Sequence, residues 1–251
     1  MKQNKSIIIK ALSIAAALLA WQLASFLFGI DFIFASPLQT LQRLFVIIGQ
    51  DGFLLTVSMS FLRITLGFVI AFVLAIALAV LAAAFSWVEH MLWPYMVVIK
   101  TVPVASFVVL AIIFMSSNAL PVFTSAIIVL PIIYQNVLTG IKTTDKAMLE
   151  MARVFAVPKR KVLKYIRLPS VKPYLLSGTE TALGMGWKAG VAAEIIGIPA
   201  GSIGLKLFYA KQDIDSASLF AWTVVIVVLS VICEKLFMFL LRSAFKISER
   251  S

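Results

Sequence analysis

An all-helical protein that crosses a membrane about six times is the fold class this sequence predicts. Two counts and one pattern predict it. Of 251 residues, 62% are hydrophobic and 13% are charged, where a soluble domain has roughly half and about a quarter. A chain this apolar cannot hide its surface inside one globule, because most of a small fold still faces solvent. The apolar residues also come in runs of roughly 20, the length a helix needs to cross the hydrocarbon core. No room is left for a large soluble domain, so a single bundle is expected.

The first run is about Ile7 to Phe28. Lys2 and Lys5 before it resemble the start of a signal peptide, but the run is long and lacks a small-residue cleavage site, so a retained span is expected. A loop with Asp31, Pro37 and Asp51 follows. An amphipathic approach, Phe53 to Arg63, leads into the second span, about Ile64 to Phe85. After a short turn with Glu89 and His90, the third span runs from about Trp93 to Met115. It contains Pro94 and Pro103, which free backbone groups that neighbours must satisfy, so a bend is expected. Ser116 to Leu120 is a tight turn, and the fourth span is about Pro121 to Ile141. The longest polar stretch, Lys142 to Pro173, precedes the fifth span, about Leu175 to Ile198. A Gly- and Asp-containing loop, Pro199 to Ser216, leads to the sixth, about Leu219 to Leu241.

Charge orients these spans. Between Lys142 and Pro173 nine Lys and Arg stand against Asp145 and Glu150. Six spans place this loop on the same side as Lys2, Lys5 and Lys10 and as Arg242, Lys246 and Arg250. Both termini and the loop are therefore expected in the cytoplasm. The same bias accounts for the net charge of +11, and no nucleic-acid partner is expected. Cys233 is the one cysteine, so neither an internal disulfide nor a thiolate metal site is expected.

The polar loop predicts two short helices. In the first, Thr144 to Val157, Thr144 is the cap and Asp145 suits the helix dipole. Met148, Met151, Ala152 and Phe155 share one face at three- and four-residue spacing. Pro158 stops this helix and opens the second. The second carries the basic cluster to about Leu168 and ends at Pro169 and Pro173. Spacing alone allows two uses: an amphipathic hairpin on anionic lipid, or a docking element for a cytoplasmic partner.

Glu150-Met-Ala-Arg-Val-Phe-Ala156, followed after nine residues by Ile166-Arg-Leu-Pro169, resembles the EAA loop of ABC-importer permeases. That pattern is Glu-Ala-Ala, three residues, Gly, nine residues, Ile-x-Leu-Pro. Met151 replaces an alanine and Ala156 replaces the glycine, which implies that Pro158 closes the inter-helix turn instead. Further similar pieces are Arg63 to Gly67, Pro103-Val-Ala105, Gly140 and Ser177-Gly178. Trp187, Ala193-Glu194 and Gly201-Ser-Ile-Gly204 resemble the nitrate/sulfonate/taurine-type branch.

The resemblance implies a type I ABC-importer permease fold in one transmembrane permease domain, residues 1–251. Within it, 1–50 is the first span and outer loop, 51–141 spans two to four, 142–173 the cytoplasmic two-helix coupling loop, and 174–251 spans five and six. It implies cytoplasmic ABC ATPase subunits, a second permease subunit as a homodimer, an extracytoplasmic solute-binding protein, and residence in a prokaryotic cytoplasmic membrane. The coupling residues it implies are Glu150, Met151, Ala152, Arg153, Phe155, Ala156, Pro158, Ile166, Leu168 and Pro169. ATP and Mg belong to the partner ATPase. This chain has no G-x-x-x-x-G-K-[ST] phosphate loop, so no cofactor, metal or catalytic residue is expected in it. Gly184-x-Gly186 fits close helix packing.

Charges within spans are costly and tend to face a partner or a water path. Lys188, beside Trp187, and Glu194 are candidates for the translocation pathway. Lys188 paired with Glu194 or Glu234 is the structural alternative. Lys100 is expected to snorkel to the cytoplasmic side, and Glu234 with Lys235 to form a pair. Trp21, Trp87, Trp93 and Trp222 fit an interfacial aromatic belt. The branch and Lys188 point to a small anion such as sulfonate, taurine or nitrate, or to a vitamin precursor. A self-sufficient secondary transporter or channel would favour inverted repeats and broken helices, and no repeat is evident. A membrane enzyme or scaffold would need a polar cluster at one depth.

Overall fold

The computed structural model describes residues 2–28 and 34–250. Asp31 of the expected first loop lies outside them, as do the side chains of Lys2, Lys5 and Arg250. Helix α1 is Lys2–Phe28 and α2 is Pro37–Ile48. The second of these stands where only a loop was expected. Its start is a capping box: the Ser36 hydroxyl accepts from Gln39 N–H, the Gln39 side chain accepts from Ser36 N–H, and Pro37 occupies the first turn.

Helix α3, Phe53–Ala84, runs unbroken for 32 residues, about 48 Å. The expected amphipathic approach and second span are thus one rod. Helix α4 is Ser86–Thr101 and α5 is Val104–Phe114. The expected third span is therefore two helices, bent by 105°. Pro94 is accommodated within α4. Pro103 makes the break, because it holds Val102 extended (φ −74°, ψ 131°) and has no N–H to continue the ladder.

Helix α6, Leu120–Lys142, matches the fourth span. The polar loop forms α7, Lys146–Val154, and a short α8, Lys159–Val162. A π-helical turn, Leu163–Arg167, then leads directly into α9, Leu168–Gly197. Pro169 and Pro173 do not end a helix, contrary to expectation. Pro169 lies in the first turn of α9, directly after the π-helical turn, and Pro173 is carried inside α9. Helix α10, Ile203–Gln212, fills the expected loop before α11, Ser216–Arg250.

Four helices are long and apolar enough to cross a membrane among the described residues, or up to five if α4 and α5 make one broken span. Helix α9 has 30 residues but carries Lys172, Glu180, Lys188 and Glu194. Its neighbours rather than its composition allow it to lie in the bundle.

Helices α3, α6 and α9 pack along one another through small residues. On α3, Ala71, Ala75, Ala79 and Ala82 are buried. On α9, Gly186 faces Val129 and Ser125, and Gly190 faces Ile64. Without a solvent-driven hydrophobic force between helices in lipid, this close backbone approach supplies the packing. Gly184 meets nothing within 4 Å, so only the second glycine of Gly184-x-Gly186 serves the contact.

Trp222 departs from the aromatic belt. It is 4% exposed and its ring lies 5.8 Å from that of Phe53, because the start of α11 packs on the start of α3. Trp87 and Trp93 are exposed. Trp21 donates its indole N–H to Ala35 O.

Helix α2 is tied to α11 by Arg43. Its Nη2 donates to Asp215 Oδ2 at 2.8 Å and its Nε to Ser218 Oγ at 2.7 Å. Burial pushes the Asp215 carboxyl up, but bonds from the Ser218 hydroxyl and N–H and the Arg43 guanidinium outweigh it and hold it below the usual carboxylate range. A depressed folded value means that the tie stabilises fully above the usual Asp range and is lost as pH falls through the folded value. The melting temperature should exceed that of Asp215→Asn near neutrality and converge on it in acid. A gap independent of pH would contradict this.

Candidate functional site

The loop between α6 and α9 presents an apolar face to solvent. Met148, Met151 and Val154 of α7 and Phe155 at its C-terminal cap are all exposed, Phe155 at 74%. Ala152, on the inner side, is buried. Glu150 and Arg153 are also exposed. Three large apolar side chains on a nine-residue helix, with Phe155 at its C-terminal cap, form one exposed apolar face.

The cap is Asp145, whose side chain accepts from Ala147 N–H at 2.8 Å. Thr144, expected there, instead turns its buried hydroxyl back to Gly140 O. Sequence alone does not separate two adjacent capping residues, and the end of α6 claims the first.

The α7–α8 turn closes by hydrogen bonds, not by proline alone. Val157 N–H reaches Ala152 O at 2.8 Å and Ala156 N–H reaches Arg153 O at 3.0 Å. These two bonds make a Schellman closure. It puts Ala156 at φ +49°, the left-handed region that favours glycine. The turn thus takes a left-handed residue without glycine and carries its strain. Ala156→Gly should stabilise the protein by about 1 kcal/mol, visible as a raised melting temperature. A lowered one would mean that the methyl group packs against α8. Pro158 caps α8, and Leu149, Arg153, Ala156, Pro158, Val162 and Arg167 border a groove of about 670 Å³. Ile166 lies in the π-helical turn, and Leu168 and Pro169 open α9. The loop is therefore continuous with a helix about 45 Å long.

At the far end of α9, Glu194 is fully buried. Its Oε2 accepts from Ser60 Oγ at 2.8 Å and from Gly204 N–H at 3.2 Å. Ser60 Oγ in turn accepts from Ile203 N–H. The carboxyl group thus sits at the start of α10, where the helix dipole favours it. Arg63 Nη1 faces Glu194 Oε1 at 4.0 Å, and neither atom has a hydrogen bond. Arg63 Nη2 donates to Asn118 Oδ1 at 2.8 Å and to Ala200 O at 3.1 Å. One polar hub thereby joins α3, the α5–α6 turn, α9 and α10. Ser60 and Asn118 carry no sequence signal for this role; only folding brings residues 134 positions apart into contact.

The three pathway candidates do not share a surface. Trp187 is 3% exposed and packs on Phe61. Glu194 lies inside the hub. Lys188 is exposed and has no ion pair among the described residues, so it pairs with neither Glu194 nor Glu234. Ser177, Thr181 and Lys188 lie on one exposed side of α9. Lys100 is exposed beside a cavity of about 390 Å³ that Tyr134 also lines. Glu89 pairs instead with Lys142 at 2.6 Å, joining α4 to the end of α6. Glu234 and Lys235 do not pair with each other, because neighbours in a helix point about 100° apart. Among the described residues no group of three His, Cys, Asp or Glu gathers to hold a metal.

Residues 72–247 match the model of the family described as binding-protein-dependent transport system inner membrane component. The chain is similar to the taurine transport system permease protein TauC of Escherichia coli, 24% identical over 79% of this chain and 74% of that protein. It is similar to the nitrate import permease protein NrtB of Synechocystis, 25% identical over 82% of this chain and 76% of that protein. It is also similar to the bicarbonate transport system permease protein CmpB of Synechococcus elongatus, 27% identical over 59% of this chain and 53% of that protein.

Proposed function

This chain belongs to the binding-protein-dependent transport system inner membrane component family, and on that premise we propose that two copies of it form the pore of an ATP-driven importer. It is a multi-pass membrane protein of the transport permease kind. Six crossings follow if α9 and the broken α4–α5 unit each count as one beside the four apolar helices. Both termini and the 142–173 loop then face the cytoplasm of a prokaryotic cell.

The observation that carries this reading is the exposed apolar face of α7, with Glu150 beside it, on a loop continuous with α9. A cytoplasmic ATPase offers a groove for that face. The apolar side chains supply affinity and Glu150 sets register against a basic residue. ATP and Mg act there, outside this chain. Closure of two ATPases moves two such loops together, and each α9 carries the displacement to the Glu194 hub. The 4.0 Å contact between Arg63 and Glu194 is short enough to close, or open, with a small shift of α9. The hub thus serves as the outer gate that a solute-binding protein meets.

The side of α9 with Ser177, Thr181 and Lys188 faces the second copy and the water path between them, since a lysine at this depth does not face lipid. Lys188 favours an anionic solute, in keeping with the taurine, nitrate and bicarbonate permeases this chain is similar to.

The test is co-purification. The chain is expressed with an ABC ATPase and a solute-binding protein of the same organism, and wild type is compared with Glu150→Ala. Loss of one charge-assisted bond should weaken ATPase retention about tenfold or uncouple its hydrolysis from transport. If no ATPase is recovered with wild type, and the chain alone moves solute in liposomes without ATP, it is a self-sufficient transporter.

A further inference from the structure

A cavity of about 390 Å³ lies between α4 and α6, apart from both the α7 face and the Glu194 hub. The two helices run antiparallel. Lys142 fixes their register by donating to both carboxylate oxygens of Glu89 at 2.6 Å. Eight residues, about 12 Å, lead from Glu89 to Val97 on α4 and from Lys142 back to Tyr134 on α6. Val97 and Tyr134 are therefore level. Trp93 and Leu138 face each other nearer the ion pair, and Lys100 lies one turn beyond Val97. Helical side chains lean toward the start of their own helix. Lys100 thus leans back toward the ion pair while Tyr134 leans away from it, so the ammonium and the hydroxyl converge at one depth.

Tyr134 is 3% exposed, and its hydroxyl has no hydrogen-bond partner among the described residues. Buried polar atoms are nearly always hydrogen-bonded. This one belongs to a side chain that borders a cavity, and it has a bond left to make. Gln135 adds an amide beside it. Glu89 is taken up by Lys142, so the cavity has an ammonium and two neutral polar groups at one end and a closed ion pair at the other. Between them the wall is apolar, with Met96 and Leu138 buried and Trp93 at the edge. The volume is that of a small-molecule site, roughly 300–1,000 Å³.

We propose that this cavity binds a small organic anion, its acid group held by Lys100 and Tyr134 and its apolar body by Trp93, Met96 and Leu138. An inorganic oxyanion would meet the polar end and leave the apolar wall uncovered. A neutral solute would dry the cavity and leave the Lys100 ammonium without a counter-charge. The bound anion links α4 to α6 at a second point beyond the Glu89–Lys142 pair. Binding here needs neither an ATPase nor transport, so its failure leaves the importer reading untouched.

The test is calorimetric titration of the full-length chain in phosphatidylcholine nanodiscs, with benzenesulfonate as the probe. Benzenesulfonamide, neutral and of the same shape, and inorganic sulfate should each bind at least about tenfold more weakly, the effect of one charge-assisted hydrogen bond. Tyr134→Phe deletes only a hydroxyl without a partner, so its melting temperature should match wild type while its affinity for benzenesulfonate falls about tenfold. Lys100→Gln should lose as much, and Lys100→Arg should retain most of the affinity. Sulfate binding as tightly as benzenesulfonate would make this an inorganic-anion site and overturn the proposal. Affinity unchanged in Tyr134→Phe or Lys100→Gln overturns it as well. Benzenesulfonate that binds in phosphatidylcholine but is excluded by added phosphatidylglycerol would assign the cavity to a lipid headgroup and overturn the soluble ligand.

Discussion

Glu194→Ala is expected to destabilise the protein by about 3–5 kcal/mol, the cost of removing one partner from a buried charged pair. Arg63 would lose its counter-charge, and Ser60 and the start of α10 would lose their shared acceptor. The change is read as the loss of monodisperse protein on heating in detergent, monitored by fluorescence size exclusion. Glu194→Gln keeps an acceptor for Ser60 and Gly204 and should fall well short of the alanine variant. The double variant Glu194→Leu/Arg63→Met removes both charges and should recover part of the loss, since no uncompensated ion is left. An alanine variant that melts within a degree of wild type would show that the hub does not hold these ends of α3, α9 and α10 together.

Gly67→Ala carries the second large effect. A Cβ there would collide with the Val122 carbonyl oxygen and lie 3.0 Å from its carbon. Both are backbone atoms of α6, so no side-chain rotation relieves the clash and α3 must move away. Overpacking of this kind costs about 1–3 kcal/mol or more, and transport should fall with it because α3 also carries Ser60 and Arg63. Gly184→Ala is the matched control. It adds the same methyl group, inside a helix, where nothing lies within 4 Å. Helix propensity then favours alanine by about 1 kcal/mol, and stability should hold or rise. Equal loss in both variants would point to a general intolerance of alanine for glycine and not to the α3–α6 contact.

The loop between α6 and α9 was legible in the sequence to a degree that the membrane charges were not. Met148, Met151 and Phe155 recur at helical spacing, and Pro158 punctuates them, so a local pattern predicts a local structure. Its errors are local as well: Asp145 caps in place of Thr144, and Ala156 keeps the left-handed turn without glycine. Ser36 and Gln39 announce α2 by the same local chemistry, although the surrounding loop residues hid it. By contrast, Trp187, Lys188 and Glu194 lie within eight positions of one another, yet they face packed core, open surface and a polar hub. A helix sends neighbours in different directions, and what each meets depends on other helices.

Composition and periodicity by themselves determined that this chain is helical and lies in a membrane, and where most of its apolar helices run. Those properties sum over neighbouring residues, so no folding is needed to compute them. Tertiary structure alone decided that Pro103 breaks a helix while Pro94 and Pro173 do not, that the loop flows without interruption into α9, and that Glu194 meets Ser60, Arg63 and Gly204. A proline or a carboxyl group inside a membrane is tolerated only if some other segment satisfies the freed backbone or the charge. That segment is distant in sequence, and only close packing of the bundle brings it into reach.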